Sequence, residues 1–322
     1  MKPKVFIAKS IPAEVEAYIG EYCDYKIWEG ETPIPKEQLF HEVAEVEGLM
    51  TSKGVVTDEF LDHAPHLKIV SNIAAGYDTF DIEVMKRRNI IGTNTPNVLD
   101  DSVADHTMGM ILMAARKLGE LDYYVKQGKW SKLDDGYFLG KDVYNSRLGI
   151  IGMGNIGEKV AKRASLGFDM DVVYYNRSRR LDIEEKYGVR YAEMDELLKT
   201  ADFVVVLLPL NPATQGIIGE NEFKLMKKTA FFFNSSRGKL VKEQDLIVAL
   251  QQGEIAGAGL DVYEVEPVAK DNPLLTMENV VTLPHMGSAT EKTRFNMAMK
   301  AAENLVAGVT GKQVPNIVKE LK

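Results

Sequence analysis

The stretch Leu148-Gly149-Ile150-Ile151-Gly152-Met153-Gly154-Asn155-Ile156-Gly157 decides how this chain folds. Its apolar start reads as a buried strand, and Gly152, Gly154 and Gly157 then fall in the order G-x-G-x-x-G. Residues 158–164 continue as a helix. Each glycine has a physical task in that setting. Gly152 permits the tight turn, Gly154 lets backbone approach a pyrophosphate, and Gly157 lets helix and strand pack closely. The helix start adds N–H groups and the positive end of a dipole for an anion. Gly152, Gly154, Asn155, Ile156 and Gly157 are therefore predicted to form a dinucleotide-binding loop.

The next strand, 171–175, runs into Asn176-Arg177-Ser178-Arg179-Arg180. A carboxylate at this point would hold the ribose 2′-hydroxyl of NAD. None is present, and guanidinium groups beside a hydroxyl suit a 2′-phosphate. Asn176, Arg177, Ser178 and Arg179 thus point to NADPH as cofactor, with NADH possible but weaker.

Outward from the loop, short apolar runs alternate with helical patterns. Strands are expected at 5–8, 25–28, 48–51, 69–73 and 90–93, with amphipathic stretches at 12–19, 36–43, 58–61 and 79–86 between them. A second series has strands at 148–152, 171–175, 203–208, 230–234, 257–262 and 280–283, with helices centred near 162, 197, 225 and 247. Strands alternating with helices imply βαβ units and parallel sheets. Residues 101–127 read as one long helix, either crossing between domains or packing as an ordinary core helix. A final helix near 290–309 would return the chain to its first domain. The expected fold is α/β, with two Rossmann-like or flavodoxin-like doubly wound parallel sheets and a cleft between them. Residues 1–100 with 289–322 would bind substrate, and residues 101–288 the dinucleotide.

Composition narrows the function classes. The 322 residues include 39 Lys or Arg against 47 Asp or Glu, a net charge of −8. Without a basic excess, neither nucleic acid nor an anionic membrane is an expected partner. No apolar run reaches the roughly 18 residues of a membrane span. The start lacks the pattern of a secretory signal, and the single cysteine, Cys23, allows no internal disulfide. These features suggest a cytoplasmic protein.

Three further segments fall at or just beyond strand ends, where ligands bind in parallel sheets. They are Phe231-Phe232-Phe233-Asn234-Ser235-Ser236-Arg237-Gly238, Gly259-Leu260-Asp261-Val262-Tyr263-Glu264-Val265-Glu266-Pro267 and Leu283-Pro284-His285-Met286-Gly287-Ser288. Glu266 lies 29 residues after Arg237, and His285 lies 19 after Glu266. With Ala75-Gly76-Tyr77-Asp78, Asn94-Thr95-Pro96 and Val103-Ala104-Asp105-His106-Thr107, nearly the whole chain resembles the D-isomer-specific 2-hydroxyacid dehydrogenases. Gly140-Lys141-Asp142-Val143 and Asn176-Arg177 are most similar to the bacterial glyoxylate/hydroxypyruvate reductase branch, which also reduces 2-ketogluconate.

The resemblance implies an NADPH-preferring reductase that converts small 2-oxo acids to D-2-hydroxy acids. The residue types agree with that chemistry. Histidine, with an ordinary pKa of about 6.5, suits His285 to donate a proton. Glu266 would orient that imidazole through a charge-assisted hydrogen bond, and Arg237 would bind carboxylate or carbonyl oxygen. The resemblance also implies that Asp261 meets the nicotinamide amide and Thr214 the cofactor ribose, with Pro209 and Ser235 lining the cofactor. For the substrate carboxylate, Lys53 offers charge, and the small residues Ala75 and Gly76 expose backbone N–H groups. The family also suggests a homodimer built around the long helix and the arm that follows it, with Tyr137 on that arm.

Other features read as structural. His63 and His66 frame Pro65 with no further ligand cluster, so no metal is expected. His106 reads as packed or cofactor-proximal, and His41 as a surface residue. Two alternatives stay open: an NAD-dependent D-lactate-type dehydrogenase, or a dinucleotide-sensing regulator on the same fold. A phosphoglycerate dehydrogenase with an added regulatory domain does not fit the length, and Glu266 argues against a formate dehydrogenase.

Overall fold

The computed structural model describes residues 1–30, 33–52, 54–130 and 138–322. The chain forms two compact units, Met1–Leu99 with Ala289–Lys322, and Asp100–Ser288.

In the first unit, β1 (Lys4–Ile7), α1 (Ala13–Tyr22), β2 (Asp24–Ile27), α2 (Lys36–Val43), β3 (Gly48–Thr51), α3 (Asp58–Asp62), β4 (Ile69–Asn72), α4 (Ile82–Arg87) and β5 (Ile91–Thr93) alternate strand with helix. The sheet is parallel in the order β2-β1-β3-β4-β5, the flavodoxin-like arrangement. Every residue of β3 and β4 is buried, as expected of central strands covered on both faces. Phe6, Leu49, Val70 and Met85 belong to the core under one face.

The second unit opens with α5 (Asp100–Ala115) and α6 (Leu118–Lys126). It continues through β6 (Arg147–Ile151), α7 (Asn155–Phe168), β7 (Asp171–Tyr175), α8 (Leu181–Tyr187), β8 (Arg190–Tyr191), α9 (Met194–Thr200) and β9 (Phe203–Val206). Then come α10 (Glu220–Leu225), β10 (Phe231–Asn234), α11 (Glu243–Gln251), β11 (Gly257–Leu260) and β12 (Val280–Thr282). The parallel sheet runs β12-β11-β10-β9-β6-β7-β8, a Rossmann order extended by one strand. Its order reverses between β6 and β9, so the glycine loop after β6 sits at the switch point. Separate cores cover the two faces, one around Val204 and Phe232, the other around Ile150 and Phe203.

Finally α12 (Glu291–Val309) rejoins the first unit. Thr290 caps it, accepting the Thr293 amide at 3.2 Å. The helix packs on β3, β4 and α1, and the Ser71 hydroxyl donates to the Ala301 carbonyl at 2.7 Å.

Two expectations need correction. The single helix over 101–127 is two helices. Lys117 takes the left-handed conformation with φ 52°, and the Ala115 carbonyl accepts the Lys141 amide at 2.7 Å, so the helical ladder stops there. α5 is a core helix of the second unit, packed on α7, β10, β11 and β12, whereas no residue of α6 is buried. The sequence reading also passed over α8 and β8. A charged helix following an arginine-rich loop and a two-residue edge strand carry little apolar periodicity. Among the described residues, no helix is long and apolar enough to cross a membrane.

Candidate active site

The site is built on three adjacent strands that end level. Asn234 pairs with Leu260, and Leu260 with Thr282, so the last residues of β10, β11 and β12 stand in one row. Arg237, Glu266 and His285 leave from this same edge of the sheet. Asn234 fixes the first turn from its buried position. Its Oδ1 accepts the Ser236 amide at 3.0 Å, and its Nδ2 donates to the Arg237 carbonyl at 2.9 Å. Nη1 of Arg237 donates to the Ser236 carbonyl at 2.8 Å. At Gly238 a Cβ would stand 1.9 Å from the Tyr263 carbonyl carbon and oxygen, so only glycine lets this loop lie against Tyr263-Glu264. On that second loop, Glu243 accepts the Glu264 amide at 3.0 Å and the Asn272 side chain at 2.7 Å. The Tyr263 amide meets Glu266 Oε1 at 3.3 Å.

His285 is held in a left-handed conformation, φ 57°, that costs energy for a residue with a Cβ. The carboxylate of Asp261 stabilises the turn that follows. Its Oδ1 accepts the Met286 amide at 2.7 Å and its Oδ2 the Gly287 amide at 2.8 Å. Nε2 of His106 comes within 3.2 Å of Oδ1, at ion-pair distance but without hydrogen-bond alignment. Burial pushes the Asp261 carboxyl upward, but His106 and the two amides outweigh it and hold it below the usual carboxylate range. Asp261 therefore shapes the histidine turn.

The imidazole of His285 is fixed by Glu266, with Nδ1 2.7 Å from Oε2. That leaves Nε2 as the ring atom able to hand over a proton. The His285 side chain is 42% exposed and that of Glu266 25%, so the imidazole is open to a ligand.

The glycine loop separates two kinds of requirement. Gly152 has φ 108°, and a Cβ there would stand 2.6 Å from the Leu207 carbonyl. A Cβ on Gly157 would stand 2.3 Å from the Gly152 carbonyl. Both are demanded by the fold. Gly154 is not, because a Cβ there meets nothing within 4 Å. Its open cradle at the start of α7 fits a pyrophosphate. Farther along the edge, the Ser235 Oγ is buried without a hydrogen-bond partner. Thr214 closes its own turn, donating to the Pro209 carbonyl at 2.7 Å and accepting the Asn211 amide at 2.9 Å. The described residues thus fit a dinucleotide.

Beyond β7, the Asn176 side chain links the two loops. Its Oδ1 faces the Met153 amide at 3.4 Å, and its Nδ2 donates to the Ser178 carbonyl at 2.9 Å. The arginines there are not equivalent. Arg179 is doubly bonded to Glu184, at 3.1 and 2.5 Å, and lies over the Tyr191 ring. Arg180 is tied to Asp182 and to the Met153 carbonyl. Arg177 and Ser178 are exposed, and the Arg177 guanidinium has no partner among the described residues.

In the first unit, Ala75 and Gly76 lie half-buried just beyond β4. Lys53 and Tyr137 lie outside the described residues. Among those described, no acidic, histidine or cysteine cluster that could hold a metal occurs. The sequence reading missed Asn234 and Glu243, which shape the turns, and did not foresee the approach of His106 to Asp261. An Asn directly before Ser-Ser-Arg-Gly is an available signal for a side-chain-closed turn. Nothing local to Glu243 or His106 reports a partner so distant in sequence.

A family model described as the D-isomer specific 2-hydroxyacid dehydrogenase, NAD binding domain, matches residues 108–287. Glyoxylate/hydroxypyruvate reductase B of Yersinia pestis bv. Antiqua is 41% identical, with 99% of this chain and 98% of the relative covered. Glyoxylate reductase of Korarchaeum cryptofilum is 42% identical, covering 99% and 97%. Among solved structures, the NADPH-dependent glyoxylate/hydroxypyruvate reductase of Sinorhizobium meliloti, in complex with NADP and malonate, is 29% identical. It superposes with a TM-score of 0.86 over 100% of this chain and 98% of that one.

Proposed function

The chain belongs to the D-isomer-specific 2-hydroxyacid dehydrogenases and is an NAD(P)-dependent oxidoreductase; on that premise we propose that it reduces glyoxylate, hydroxypyruvate and 2-ketogluconate with NADPH in preference to NADH. The observation that carries this reading is the 2.7 Å pairing of His285 Nδ1 with Glu266, on the sheet edge from which Arg237 also emerges. The names of the relatives support the substrate class.

The chain's own groups divide the work. Arg237 binds the 2-oxo acid and faces the oxygen on which negative charge grows. The proton for that oxygen comes from His285 Nε2, and Glu266 stabilises the positive imidazole before transfer. NADPH, when bound, would supply the hydride for this reduction. Gly152, Gly154, Asn155, Ile156 and Gly157 hold the pyrophosphate. Pro209, Thr214 and Ser235 line the remainder, and Asp261 sets the nicotinamide end through the turn it shapes. Arg177 and Ser178, with Asn176 orienting the loop, take the 2′-phosphate. Arg179, engaged by Glu184, takes a lesser share. Lys53, Ala75 and Gly76 bind the substrate carboxylate. Two copies pair through α6, which leaves Leu118, Tyr123 and Val125 exposed.

The test is turnover of the three acids with each cofactor. NADPH should exceed NADH by roughly tenfold or more in kcat/KM, the scale of a lost hydrogen bond to a charged group. Arg177→Ala should remove most of that margin and Arg179→Ala less. Equal use of the two cofactors overturns the NADPH preference. Cofactor binding with no turnover of any 2-oxo acid favours a sensor.

A further inference from the structure

We infer that Asn72 and Asn94 are positioning residues that hold the 74–76 loop as an anion-binding nest for the substrate carboxylate, an inference that rests on the reductase reading above. Three successive carbonyls of this loop are tied down. The Ala74 carbonyl accepts the Thr95 amide at 2.9 Å. The Ala75 carbonyl accepts Nδ2 of Asn94 at 2.7 Å, and the Gly76 carbonyl accepts Nδ2 of Asn72 at 2.8 Å. A trans peptide is planar, so its carbonyl and the following N–H point in opposite directions. Holding these carbonyls therefore sets the directions of the Ala75, Gly76 and Tyr77 amides. Those amides have no acceptor among the described residues. Consecutive unpaired amides of fixed direction, beside side chains no larger than a methyl at Ala75 and Gly76, are donors that a carboxylate can approach.

Both asparagines are themselves fixed. Asn72 ends β4 and is 3% exposed. Asn94 directly follows β5, and its carbonyl accepts Nδ2 of Asn304 from α12 at 3.1 Å. The Asn94 amide donates to the Asn316 carbonyl at 3.3 Å, while Nδ2 of Asn316 donates to Asn304 Oδ1 at 2.9 Å. A ladder of side-chain amides thus runs from the C-terminal segment through a fully buried Asn304 to the loop. Asparagine suits these places because it donates without carrying charge. Aspartate would set an acceptor against a carbonyl, and alanine would leave that carbonyl unpaired.

The experiment compares the full chain with Asn94→Ala and, independently, Asn72→Ala. It reads the KM for glyoxylate, the inhibition constant of oxamate (a non-reducible isostere of a 2-oxo acid), kcat, and NADPH affinity. Each variant should raise KM and the oxamate constant together by roughly tenfold, with NADPH affinity unchanged. Asn94→Asp should weaken both further. A purely structural role would lower kcat through the active fraction and leave both constants unmoved. A folded variant with wild-type KM and oxamate constant overturns the inference. If the wild type binds oxamate yet reduces no 2-oxo acid, the reductase reading fails alone, and loss of oxamate binding in Asn94→Ala still supports the nest.

Discussion

His285 shows what a single residue gains from its neighbours. Its left-handed backbone is unfavourable for an L-residue, yet Asp261 and Glu266 hold turn and ring in place. Replacing it with asparagine, a residue tolerant of that conformation, keeps the backbone and removes the proton donor. His285→Asn should therefore lower kcat by about 10²- to 10⁴-fold while leaving NADPH affinity intact, as read by fluorescence titration. Retained turnover would remove His285 from its role. Arg237, Glu266 and His285 were legible in the sequence because each follows a strand end and their order is distinctive. The unequal arginines were not. The engagement of Arg179 by Glu184 depends on α8, whose charged sequence gave no apolar period to read.

At the scale of elements, the strands were readable because buried parallel strands are short apolar runs with turn residues on either side. The break between α5 and α6 was not, because the Ala115 carbonyl is captured by Lys141, far along the chain. Asp261 couples β11 to the turn after β12 and has a consequence for acid stability. Its carboxyl titrates below the usual range when folded, so the folded state binds fewer protons than the unfolded chain there. The stability it contributes is complete above the unfolded value of about 3.9 and is lost as pH falls through the lower folded value. Asp261→Asn should lower the urea midpoint at neutral pH and flatten its decline between about pH 5 and 3. An unchanged acid slope would show that other carboxylates carry it.

At the scale of the whole molecule, α6 leaves apolar side chains in water. Tyr123 is 61% exposed on a helix with no buried residue, which is poor use of such a surface in a lone chain. Light scattering should give twice the 35.9 kDa of one chain, and Tyr123→Glu should shift the mass toward a single copy. A wild-type mass of one chain would refute the pairing.

The first unit takes its residues from both ends of the sequence, and its sheet needs α12 as a cover. Asp100–Ser288 is continuous, so all of its own residues are present before residue 289 is added. The opening residues, although synthesised first, cannot seat Ser71 on Ala301 or Asn94 on Asn304 until the last helix leaves the ribosome. Birth order and completion order are thus reversed. A message truncated before residue 289 would hold every residue of the second unit and leave the first without its covering helix.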